Sequence, residues 1–293
     1  MSNKNPFKII TTPNTKTFSF EISAAGKFTI DWGDNNIETI EKTDTNSQII
    51  SYKYDRIGKY IIKLDGKAAG YNKETSAIIF KNNKNLEKID GSLGMIFSTL
   101  PNGEQPIFLN TFAYCYNLAG NIPEKLFAGI KGAPAVHMFN NTFSGCSELT
   151  GPIPEKLFAG IKGAPKQHMF FCTFFACSNL AGSIPKKLFA GISGKPAQDA
   201  FRSTFFGCSK MSGTMNEHGI ITDIELPEPT EKAPLKSIPV ADTTMNSLNK
   251  IDVIISGIAP DDLAKIIQSV QKVSNDINIK IAKQVQETNQ KQH

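Results

Sequence analysis

Two histidines and a carboxylate recur at one interval: His137, His168 and Asp199 stand 31 residues apart. Neutral imidazole and carboxylate are ligands for first-row divalent metals, so the trio is a candidate metal set. A plainer cause competes with it, because equivalent positions in a repeating chain line up whatever their role. Cys115, Cys146, Cys177 and Cys208 keep the same interval of 31. That is repetition, not the paired spacing of a zinc site or a disulfide framework. The expectation is a small buried thiol filling one core slot in every repeat, with Cys172 left outside the series. Asp31 and Asp34 flank a turn and offer hard oxygen to calcium, but as a pair without further ligands. No G-x-S-x-G, P-loop, paired C-x-x-C or H-E-x-x-H is present. The sequence therefore predicts no catalysis, no cofactor and no metal site.

Charge points instead to recognition. The formal net charge is +5, modest for 293 residues, yet residues 111–213 hold ten Lys and Arg against four Asp and Glu. Lys125, Lys156 and Lys187 form one column of the repeat, beside Glu124, Glu155 and Lys186, and Lys131 and Lys162 form a second. Repeated like charges on one strip steer an acidic partner, although many such strips are only solvated faces. The many Phe occupy core-like repeat positions, so no aromatic platform for nucleic-acid bases is expected.

These columns must be positioned by the repeat itself. Copies begin at Thr111, Thr142 and Thr173, a shortened one at Thr204, and a degenerate one spans Asn85 to Asn110. A fixed period means one supersecondary unit stacked on copies of itself. In each copy Leu149, Ile153 and their counterparts suit a brief strand ending at a proline. Pro154 to Ile161 reads as a short helical turn, since proline suits a first turn and glycine limits its length. Gly163-Ala164-Pro165 reads as a loop. Met169 to Cys177 reads as a second helical turn, with Phe174 and Cys177 facing the core three residues apart.

Phe-x-x-Cys-x-x-Leu followed by Ile-Pro resembles the BspA-type leucine-rich repeat of bacterial surface proteins, over residues 80 to 215. Leu-x-Gly-x-Ile-Pro is also similar to plant-type leucine-rich repeats. The period here is longer, the extra length falling around Pro134, Pro165 and Pro196. The resemblance implies adhesion or protein recognition.

Upstream, Phe18, Phe20 and Ile22, then Phe28, Ile30 and Trp32, then Tyr60, Ile62 and Leu64 alternate as strands of a small β-sandwich. Phe28-Thr29-Ile30-Asp31-Trp32-Gly33-Asp34, with Tyr54 to Tyr60 later, resembles the PKD-type immunoglobulin-like domain. That resemblance implies a spacer and a structural role for the Asp31–Asp34 turn. Downstream, four prolines between Ile224 and Val240 mark a linker. Leu263, Ile266, Val270, Val273 and Ile277 then step by three and four along a helix of about 42 Å over residues 261–288. This stripe is covered either by Met245 to Ile258 folding back or by partner helices.

The reading is thus a multidomain chain. It comprises a PKD-like all-β sandwich (1–79), an α/β leucine-rich-repeat-like solenoid (80–219), a Pro-rich linker (220–243) and a helical assembly tail (244–293). Its function is a non-enzymatic protein-binding or adhesion module on a cell or particle surface, the solenoid recognising a protein or glycan surface and the tail anchoring a homo-oligomer or larger assembly. The alternative is a structural component of a bacteriophage virion or fibre assembled through that helix. Nucleic-acid binding is not expected, because the Phe sit at core-like positions, and neither is membrane insertion, because no run of 18 apolar residues occurs. No Sec signal peptide is visible in Met1 to Ile10.

Overall fold

The computed structural model describes residues 6–215 and the backbone of 221–222, all within one compact unit. Among them there are twelve strands and no helix.

β1 (Phe7–Thr11), β2 (Thr15–Ile22), β3 (Ala25–Asp31), β4 (Ile37–Lys42), β5 (Gln48–Gly58), β6 (Ile61–Gly70), β7 (Ile78–Ile79) and β8 (Leu86–Asp90) build two antiparallel sheets. Their orders are β4-β3-β6-β1-β8 and β5-β2-β7. Period-two alternation is the cause: Phe18, Phe20 and Ile22 of β2, Phe28 and Ile30 of β3, and Ile62 and Leu64 of β6 all turn inward and are buried in one cluster. Outward positions are mostly polar, as one-sided burial requires, with Ile37, Ile49, Ile57 and Ile61 as exposed exceptions.

The sheets pass into the repeats without a break in hydrogen bonding. β7 pairs with β2, while its neighbours Ala77 and Phe80 donate their N–H to Ile107 and Thr111 at 2.8 and 2.6 Å. β8 pairs with β1, and Ala119 donates to Glu87 at 2.8 Å. From there the rungs are parallel, pairing positions 29 residues apart and recurring every 31 residues. Bridges join Gly120 to Leu149 and Gly151 to Leu180, and β9 (Ala181–Ser183) pairs with β10 (Lys210–Ser212). A second line of bridges, Gly132 to Ile161 and Gly163 to Ile192, runs through what the sequence suggested was loop. β11 (Thr214–Met215) and β12 (Ile221–Thr222) close the described chain as a two-stranded ribbon.

The α/β architecture expected for the repeats is not formed. In the stretch expected to be the second helical turn, N–H groups alternate between two destinations. Those of His137, Phe139, Asn141, Phe143 and Gly145 donate to the next coil, at Gln167, Met169, Phe171, Thr173 and Phe175, over 2.7 to 3.1 Å. Those of Asn140, Thr142, Ser144 and Cys146 donate three residues back within their own coil. An α-helix would keep every N–H in its own segment and leave the coils unjoined. Alternation joins them instead, at the cost of a left-handed residue every fourth position: His137, Asn141 and Gly145, then His168, Cys172 and Ala176. Each non-glycine residue there costs about 1–2 kcal/mol, and the inter-coil bonds, contributing about 1 kcal/mol net each, offset it.

The first expected helical turn fails for a related reason. Between Pro123 and Ile130 only alternate residues bond back, Leu126 to Pro123, Ala128 to Lys125 and Ile130 to Phe127. The segment is three overlapping tight turns, too short to propagate a helix. The expected helical tail lies outside the described residues, as does the linker before it apart from Ile221–Thr222, which form β12.

Stacking turns the period into ladders of rings. Phe80, Phe112, Phe143, Phe174 and Phe205 are spaced by 5.4 to 5.6 Å with near-parallel planes. Phe108, Phe139, Phe170 and Phe201 make a second ladder, and Phe127, Phe158 and Phe189 a third. All three interdigitate in the same core as the sheets.

Candidate functional site

The first lysine column sits on the tight turns. Leu126 and Phe127, with their counterparts Leu157, Phe158, Leu188 and Phe189, point inward, so the alternate direction carries Lys125, Lys156 and Lys187 out to solvent. The rings behind them, Phe127, Phe158 and Phe189, step by 6.0 and 5.9 Å. Lys131 and Lys162 follow on the second bridge line, where Lys162 donates its N–H to Gly132 at 2.8 Å. Both are exposed, and the third coil carries Ser193 at that position. None of the five forms an ion pair among the described residues, and neither do Glu124 and Glu155 beside them. Like charges about 6 Å apart repel by only about 0.7 kcal/mol in bulk water. The fold tolerates that and gains from any anion laid along the columns.

The histidine column is a stack. His137 and His168 lie ring on ring at 5.0 Å, His168 Nε2 is 3.7 Å from Asp199 Oδ2, and Asp199 Oδ1 is 3.7 Å from Arg202 Nη1. His137 Nδ1 accepts from Asn140 Nδ2 at 2.9 Å, and burial, then the neighbouring His168, holds its pKa below the usual value. Face-on rings direct π-surfaces at each other instead of lone pairs. Among the described residues no group of three His, Cys, Asp or Glu is arranged to hold a metal.

The thiols are engaged inside. Cys115, Cys146, Cys177 and Cys208 donate to the carbonyls of Phe80, Phe112, Phe143 and Phe174 at 3.0 to 3.1 Å. Burial pushes the Cys115 thiol up to about 12 and Cys208 to about 11, far from the thiolate a nucleophile needs. Cys172 is also raised to about 12 by burial, with Arg202 opposing. A matching threonine ladder was missed, although threonine precedes every repeat phenylalanine. Thr111, Thr142, Thr173 and Thr204 donate to Ile78, Phe108, Phe139 and Phe170 at 2.9 to 3.0 Å.

Asp31 and Asp34 shape their turn. Asp31 accepts from Lys63 Nζ at 2.8 Å and from the Gly33 N–H at 3.0 Å, and the Lys63 bond foremost holds its carboxyl low. Burial opposes ionisation of Asp34, but the Tyr52 hydroxyl at 2.8 Å and Asn36 outweigh it. Gly33, at φ 82°, is required here, because a Cβ would meet the Ile61 carbonyl oxygen at 2.6 Å.

Two surface features went unread in the sequence. Phe175 and Phe206 stack at 5.4 Å, with Phe206 67 % exposed, which departs from the expectation that the repeat Phe are all core. A shallow groove of about 490 Å³ lies between Lys73, residues 102–105 and Val136. Two of its polar side chains are occupied, Glu104 by the Tyr71 N–H and Gln105 by Thr99 and the Lys131 carbonyl. The oligomerisation stripe Leu263, Ile266, Val270, Val273 and Ile277 lies outside the described residues. Among the described residues no helix is long and apolar enough to cross a membrane. Comparison with known protein families, with curated proteins and with solved structures finds no match to this chain.

Proposed function

We propose that this chain is a non-enzymatic recognition module whose stacked coils form the binding surface and whose sheets form the stand behind it. One observation carries the reading. The groups capable of chemistry that recur in every coil, thiol and hydroxyl, face inward and are engaged by carbonyls of the preceding coil. The exposed positions recur as regular columns, Lys125, Lys156 and Lys187 foremost. A surface of identical rungs suits an extended partner better than it suits one reacting bond. The Phe-x-x-Cys-x-x-Leu spacing shared with bacterial surface repeats supports display on a cell or particle surface, with a protein or glycan as partner.

The test is a panel of immobilised glycans and proteins probed with the full chain. One variant set changes exposed coil positions and another changes exposed positions of β3 to β6. Binding lost only with coil changes supports the reading. Binding that survives coil changes but is lost with sheet changes overturns it, as does chemical turnover of a panel member.

A further inference from the structure

We infer that the two lysine columns bind a linear anionic polysaccharide lying along the stack, with one carboxylate or sulfate per sugar meeting each coil. This deepens the recognition reading and rests on it. Three observations support it.

The first is linearity. Lys125, Lys156 and Lys187 occupy one position in three successive coils, and the bridges that join Gly132 to Ile161 and Gly163 to Ile192 hold those coils in register. Lys131 and Lys162 run parallel to them, six residues further along each coil. A partner that meets all five must itself be extended and carry charge at regular steps.

The second is the step. Neighbouring coils are joined beside the lysines by parallel bridges, which set their backbones about 4.8 Å apart, and the rings of Phe127, Phe158 and Phe189 behind them step by 6.0 and 5.9 Å. Phosphates of one B-DNA strand advance by about 3.4 Å per nucleotide, out of register with it. One sugar ring with its glycosidic oxygen advances by a length comparable to one coil.

The third is what surrounds the charges. Phe127, Phe158 and Phe189, the aromatic residues nearest in each turn, are buried, so no ring is offered for a base to stack on. Lys125, Lys156, Lys187, Lys131 and Lys162 form no ion pair among the described residues, so their charge is left for a partner. Exposed lysine with a solvated ammonium suits the point charges of uronate or sulfate groups, which need no bidentate fork.

The experiment titrates the full chain with polygalacturonate over a range of salt concentrations. Neutral dextran, a 20-mer of single-stranded DNA and polyglutamate serve as competing probes. Two charge-matched variants are compared, Lys125→Gln/Lys156→Gln/Lys187→Gln in the columns and Lys53→Gln/Lys67→Gln/Lys73→Gln elsewhere, each checked for an unchanged melting temperature. Expected is polygalacturonate binding that weakens at least ten-fold in the column variant only, with the slope against log salt falling by about one per lysine removed. Equal loss in both variants, no polygalacturonate binding, or tighter binding of DNA or polyglutamate overturns the inference. None of these outcomes decides the recognition reading, which stands or falls on whether coil changes abolish binding of whichever panel member is found.

Discussion

The Cys177 thiol donates across 3.0 Å to the carbonyl oxygen of Phe143, a residue of the preceding coil and itself stacked on Phe174 at 5.6 Å. Ring and thiol therefore stitch the same two coils, one by packing and the other by a polar bond in a dry interior. The Thr173 hydroxyl does the same to Phe139 at 2.9 Å. Removing a donor there leaves a buried carbonyl with one partner fewer. Thr173→Val should destabilise the protein by about 1–3 kcal/mol, whereas Thr173→Ser should restore most of the loss. Urea unfolding of the two variants checks the difference, and equal midpoints would remove the hydroxyl ladder from the account.

Phe174→Ala should cost about 3–5 kcal/mol, because its ring is fully buried between Phe143 and Phe205 and leaves a cavity. Phe206→Ala, which removes a ring two-thirds exposed, should change stability by about 0.5 kcal/mol or less. Paired thermal melts measure both, and similar shifts would contradict the assignment of one ladder to core and the other to surface.

The buried thiols should be silent toward alkylation. With Cys115 raised to about 12 and Cys208 to about 11, almost no thiolate is present at pH 8. Native protein should take up little iodoacetamide, and unfolded protein should label at all five cysteines. Fast labelling of the native chain would show that the coils open readily.

Left-handed positions offer a gain. Ala176 has φ 56° in a column whose neighbours are Gly145 and Gly207, so Ala176→Gly relieves strain and should stabilise by up to about 1 kcal/mol. The converse Gly145→Ala should destabilise, since a Cβ there would lie 2.7 Å from Tyr114 Cδ1. Denaturant midpoints that move in opposite directions for the two variants are the expected outcome.

Acid should weaken the fold through His137. Burial and His168 hold its folded pKa below the unfolded value of about 6.5, so the unfolded chain binds the extra proton first. The stability it contributes is present above about pH 6.5 and is lost as pH falls through the lowered folded pKa. His137→Asn, a residue that tolerates the left-handed backbone, should flatten that part of a urea-midpoint profile between pH 5 and 8. An unchanged slope would mean that another group dominates in this window.

The 31-residue period was legible in the one-dimensional sequence. It named in advance which residues share a column: Phe143 with Phe174, Cys146 with Cys177, and Lys125 with Lys156. Alternation likewise placed Phe18, Phe20, Phe28 and Ile30 inside. Both are properties of spacing, which needs no knowledge of the backbone. The path between those positions was decided elsewhere. Phe174 and Cys177 face the core three residues apart as a helix would place them, but the N–H of Phe174 bonds Thr204, thirty residues on. No local propensity encodes a partner that distant. Left-handed Cys172 and Ala176 are disfavoured taken singly and hold only because the next coil supplies acceptors. The exposure of Phe206, set beside the burial of Phe143, Phe174 and Phe201, has the same origin. Identical residue types meet water or protein according to which side of the coil the alternating bonds turn them toward, and only the stacked chain determines that.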